Sequence, residues 1–304
     1  MTTLAPQHPT PVTAAEHPMP ASAGRAQTLT HVIRAESGRL HRTGGLRGAL
    51  ITATLGGVGA GWLGYVFSSW MAENVGSISD ELVSASEVAA MPGWTSIVSG
   101  VEVGAFVAAV LLSIAVVFHV ARDHARQLGA TLQLVPHRGR LVGGQLATLA
   151  MTSFAVLGVV SVTTAALASA VSGELHLGAA AVSVGLTTVA GTAMVVFAAG
   201  LTMCVRSVAA AILSFIGVVG LLPLGVLVAG LLLPAQIGRV LTTVAEWLPT
   251  ALYFRSSGLS LQQPLDQALT LGTVAGMLGL LAALVGWAVL AWVAARAAIA
   301  RREP

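Results

Sequence analysis

Six long apolar runs, parted by short polar segments, dominate the chain. They cover about Ala49–Met71, Ser99–Val120, Leu141–Val171, Leu177–Val205, Val208–Leu233 and Leu269–Ala295. Each reaches the ~20 residues that a helix needs to cross a bilayer. Inside lipid an isolated strand leaves its backbone unpaired, so the runs are expected to be helices. The expected fold is an all-α integral membrane protein with a six-helix domain over residues 48–296. Three other stretches have their own patterns. Residues 28–47 repeat Leu29, Val32, Ile33 and Leu40 at helical spacing, with arginines between them. This predicts an amphipathic helix lying on the membrane surface. Between the second and third runs, Leu128, Thr131, Leu132 and Val135 predict a short amphipathic helix stopped at Pro136. Pro234 to Phe254 is apolar but interrupted by Pro249, which predicts a re-entrant or interfacial helix pair, not a seventh span.

Charge then gives the runs a direction. Of the 15 arginines, thirteen fall on one side of the predicted bundle, and only Arg239 and Arg255 fall on the other. Under the positive-inside rule the richer side, which carries both termini, is cytoplasmic. The loop after the first run is acidic, with Glu73, Asp80, Glu81 and Glu87. Trp70, Trp94 and Trp247 are expected at the outer boundary, and Trp287 and Trp292 near the inner end of the last run. Only 9% of residues are charged and 55% are hydrophobic, against about 25% charged in a soluble domain. The net charge of +3 is too small and too scattered for a nucleic-acid surface. Residues 1–27 are rich in proline without an apolar core, so a disordered cytoplasmic tail is expected instead of a signal peptide. Residues 297–304 form a short cytoplasmic tail.

Candidate chemistry is sparse. All fifteen basic side chains are arginine, so the chain lacks the lysine of an ordinary P-loop and of Schiff-base catalysis. The lone cysteine, Cys204, rules out an internal disulfide and any multi-cysteine metal site. The eight histidines show no metal-ligand spacing, and no catalytic constellation is present, so neither a metal nor an enzymatic activity is expected. Glu102 is the one acid expected inside a span. It lies about one turn from the outer boundary, where it could reach water or contact a substrate. Thr148 and Thr152 could line a polar pathway or bond to their own helix. Gly57 and Gly61 form a GxxxG pair suited to helix packing, within the chain or in a dimer. Pro223 should kink the fifth span.

The order of these elements, with two local motifs, resembles the permease subunit of type-2 ABC exporters, the ABC-2 family. The stretch IRAESGRLHRTGGLRGAL resembles the family's motif ahead of the first span, on Arg34, Glu36 and Arg39. The stretch GATLQLVPHRGRLVGGQL resembles its coupling region, on Gly129, Thr131, Pro136, Arg138 and Arg140. The likeness covers about Thr28 to Arg302, and the composition and tail resemble actinobacterial proteins. It departs from the pattern where Asp123 is offset from the usual acid and where Gln145 replaces a frequent lysine. The resemblance implies a bacterial cytoplasmic membrane protein with two copies of a separate ABC ATPase and a second permease copy, identical or related. ATP and Mg would bind to the ATPase, and no cofactor to this chain. Its push would arrive on Arg126, Leu128, Gly129, Thr131, Leu132, Val135, Pro136, Arg138 and Arg140. The cargo would be an amphipathic or hydrophobic molecule such as a drug, peptide or lipid. The alternatives are an ion-coupled secondary transporter, or a non-transporting membrane partner or immunity subunit.

Overall fold

A computed structural model of the chain describes residues 29–42, 44–79, 93–134, 138–173, 176–205, 207–257 and 271–301. Helices α1 (Leu29–Arg42), α2 (Gly44–Ser79), α3 (Gly93–Leu134), α4 (Arg138–Ser172) and α5 (Leu177–Cys204) come first. Then follow α6 (Val208–Ile216), a π-helical turn (Gly217–Leu221), α7 (Leu222–Leu232), α8 (Ala235–Glu246), α9 (Pro249–Ser257) and α10 (Leu271–Ala300). No strand occurs among the described residues. Six segments are long and apolar enough to cross a membrane: Gly44–Met71, Thr95–Arg122, Val142–Ser172, Leu177–Cys204, Val208–Gly230 and Gly272–Ala300. The chain is a multi-pass membrane protein. The tail 1–27, the acids Asp80, Glu81 and Glu87, and Val135 and Pro136 lie outside the described residues.

Two spans form the centre. In its most apolar stretch α5 is 56% buried and α3 is 50% buried, against 22% for the first span and 18% for the fifth. Their composition explains it. The middle of α5 is built of Ala, Gly, Thr and Val, and small side chains let neighbouring helices come close on several sides. One core cluster joins Met194 and Phe197 of α5 to Leu252 and Tyr253 of α9 and Leu284 of α10. A second joins Leu112, Val116, Leu157, Val160 and Met203 across α3, α4 and α5.

Helices α2 and α3 approach closely on a glycine face. Gly57 and Gly61 face Gly104 and Gly100, so each helix offers a glycine pair to the other. A methyl group built on Gly61 would lie 2.8 Å from the Gly100 carbonyl oxygen and 2.6 Å from Thr164 Cγ2. The GxxxG face of the first span is therefore occupied within the chain. Gly272 and Gly276 of α10 have nothing within 4 Å of such a methyl.

The fifth span carries its irregularity one turn before Pro223. Proline has no N–H, and its ring crowds the carbonyl four residues back, which here is that of Val219. The chain widens into the π-turn, where the Leu222 N–H bonds to the Gly217 carbonyl. Two other boundaries differ from the sequence-based expectation. The second span does not end in a loop followed by a separate short helix. Instead, α3 runs unbroken to Leu134, because Ala, Arg, Gln and Leu favour helix and no proline occurs before Pro136. The leading amphipathic helix ends at Arg42, and α2 begins at Gly44. Leu46 is already buried in the α3–α4–α5 core, which commits the residues around it to the first span. Helix α1 rests on α4 and touches α2.

Candidate functional site

The segment between the fifth and sixth spans brings the most polar chemistry into the bundle. Pro234 ends the turn after α7, and α8 then doubles back along α7. The approach is close because both contact residues are glycines: a methyl on Gly238 would lie 2.5 Å from the Gly230 oxygen. Pro249 sits in the first turn of α9, where its missing N–H leaves no helical bond unmade. Helix α9 is short but deeply packed. Leu252, Tyr253, Ser256 and Ser257 are all 0% exposed.

Hydrogen bonds tie this helix pair to three spans. The Thr250 hydroxyl donates to the Val219 carbonyl, the acceptor that Pro223 leaves without its helical N–H. The Trp287 indole N–H of α10 donates to the Trp247 carbonyl at 3.0 Å. The Tyr253 hydroxyl donates to the Glu102 backbone carbonyl at 3.1 Å. Ser257 Oγ donates to Glu102 Oε1 at 2.9 Å. Phe106 of α3 packs at a tilt against Tyr253 and Phe254, with ring centroids 5.2 and 4.7 Å away. Val219 is the middle residue of its span, Val208–Gly230, and Trp287 lies next to the middle of Gly272–Ala300. The α8–α9 turn is therefore bonded to the midpoints of two spans. Glu102 lies half-buried under the far end of α9.

An ion pair completes the site. Arg255 Nη1 lies 2.9 Å from Glu246 Oε2, and the two side chains remain 46% and 52% exposed. The two charges pair with each other and each keeps an exposed face.

The other candidate residues lie elsewhere. Thr148 is buried and donates to the Gly144 carbonyl at 2.8 Å, so its hydroxyl is spent on its own helix. Thr152 is half-buried on the same helix. Deeper between α4 and α5, Ser161 and Thr187 share a 3.3 Å hydrogen bond. The buried hydroxyls of Thr164, Ser183 and Thr188 have no partner among the described residues. On α1, Arg34 is exposed and Glu36 half-buried, while the Arg39 side chain is outside the described set. Arg126, Leu128, Gly129, Thr131 and Leu132 lie on the last turns of α3, and Arg138 and Arg140 open α4. Their side chains are also outside it. Among the described residues, no group of three or more His, Cys, Asp or Glu could hold a metal.

Sequence reasoning missed Thr250, Tyr253, Ser257 and the Glu246–Arg255 pair. The two charges are nine residues apart on different helices, so no helical spacing flags them. Pro249 was the available sign, since it breaks an otherwise helical stretch. Neither a family model nor a curated protein matches the chain.

Proposed function

We propose that this chain is the permease subunit of an ATP-driven exporter of the ABC-2 type, in a bacterial cytoplasmic membrane with both termini inside. The observation that carries this reading is the α8–α9 pair, bonded to the midpoints of the fifth and sixth spans. We read it as a re-entrant hairpin entering from the outer face, placed where the resemblance expects one. Helix α3 adds support. It continues 12 residues past the end of its span, Arg122 to Leu134, a projection of about 18 Å beyond the apolar segment. A rod of that length reaches a soluble partner.

In this reading two ATPases bind below two permeases, each a copy of this chain or a relative. Closure of the ATPase pair pushes on α3 and the start of α4, between Arg126 and Arg140. Helix α1 lies along the inner membrane surface. The two permeases then rock between inward- and outward-open arrangements, a two-state change biased by ATP. The α8–α9 hairpins, with Glu246 and Arg255, would line the outer end of the pathway. The apolar spans suit an amphipathic or hydrophobic cargo.

A second reading is favoured by Glu102 and by the Glu246–Arg255 pair, charges within the depth of the spans. It makes the protein an ion-coupled carrier. Assaying hydrolysis and uptake in vesicles carrying the permease with its ATPase separates the two. The ABC reading expects Arg138→Glu to abolish cargo-stimulated hydrolysis while Glu102→Gln leaves it intact. Uptake that follows a proton gradient, stops in Glu102→Gln and ignores ATP would establish the carrier instead.

A further inference from the structure

We propose that the groove between α4, α5 and α10 holds one acyl chain of an anionic phospholipid, with the headgroup on Arg296. The groove has a volume of about 460 Å³. Ala147 and Ala150 form one wall, Thr192 and Val196 the floor, and Val289 and Trp292 the other wall. The one hydroxyl among these, Thr192, already donates to the Thr188 carbonyl at 2.7 Å. No charged side chain lines the groove.

Its position decides the occupant. On α10 it runs from Val285, at the middle of the span Gly272–Ala300, to Trp292. That is about 10 Å along the helix, most of one leaflet's ~15 Å of hydrocarbon. One turn further on, the exposed Arg296 guanidinium lies 6.0 Å from the Trp292 ring centroid. An indole with a neighbouring cation is the pattern of a membrane boundary. The apolar slot therefore ends at a positive charge at headgroup depth, on the side that carries the chain termini. A lipid phosphate at that depth supplies the opposite charge for the Arg296 guanidinium. Lipid tails leave other lipid to enter the slot, so the chain itself gains little by moving there. Selection falls on the headgroup through a charge-assisted contact. This proposal does not rest on the ATPase.

Native mass spectrometry of the full-length purified chain in equal phosphatidylglycerol and phosphatidylcholine tests it. One phosphatidylglycerol should be retained per chain, preferred about tenfold, as a charged contact of ~1.4 kcal/mol implies. Arg296→Gln should erase the preference, and Ala147→Trp should remove both lipids. Equal retention of the two lipids by the wild type would overturn the proposal, as would an undiminished preference in Arg296→Gln. So would disulfide-linked dimers of Ala150→Cys in a Cys204→Ala background, which would put a second copy in the groove. Because Arg296 is exposed, its variant decides the matter even if Ala147→Trp does not fold.

Discussion

Replacing Gly61 with alanine puts a methyl group into the close glycine contact between α2 and α3. It would sit 2.6 Å from Thr164 Cγ2 and 2.8 Å from the Gly100 oxygen. The threonine methyl can turn away, but the carbonyl belongs to the backbone of α3. The helices must separate, and they are held together by Gly57 against Gly104 one turn along. Overpacking of this kind costs about 1–3 kcal/mol, and a backbone contact belongs at the upper end. Alanine recovers up to ~1 kcal/mol through helix propensity. The expected net loss is about 2 kcal/mol. The control is Gly276→Ala on α10, where the same methyl meets nothing within 4 Å. Propensity alone acts there, so no loss is expected. Equilibrium unfolding of both variants in mixed micelles reads the difference. If Gly276→Ala destabilises the chain more than Gly61→Ala, the packing argument is wrong, and the first-span glycines do not form this contact.

Thr250→Val should cost about 1–3 kcal/mol by leaving the Val219 carbonyl unpaired at the middle of its span. In a Pro223→Ala background the helix can supply its own N–H to that carbonyl. The cost should then shrink, which a double-mutant unfolding cycle detects. Glu246→Gln strands Arg255 without its partner and should lower the yield of membrane-integrated protein. Exchanging the two charges, Glu246→Arg with Arg255→Glu, should restore most of it. Unchanged yields in the single variant would place the pair in open water.

The spans were legible because lipid permits few solutions: twenty apolar residues, a helix, and arginines at the ends. Their limits moved by only a few residues, as at Thr95 and Ala300. Pro223 announced an irregularity, but neither its form as a π-turn nor the bond from Thr250, 27 residues later, to the freed carbonyl was visible. The GxxxG pair announced a close contact without naming the partner, since Gly100 and Gly104 mark it only once α2 and α3 lie together. Glu102 was visible as an acid within a span. Its partner Ser257 is 155 residues away, and no local pattern encodes a contact at that separation. Trp247 drew notice only as an aromatic residue of an outer segment, and its bonded partner lies 40 residues away. The α8–α9 turn carries its carbonyl to Trp287.

Purification of the chain from native membranes in a mild detergent, with identification and counting of what accompanies it, addresses the exporter reading most directly. The account predicts an ABC ATPase with an intact P-loop, in equal number to the permease, released when α3 carries Leu132→Asp. A chain that comes out without any ATPase, and drives uptake from a proton gradient alone, would contradict it.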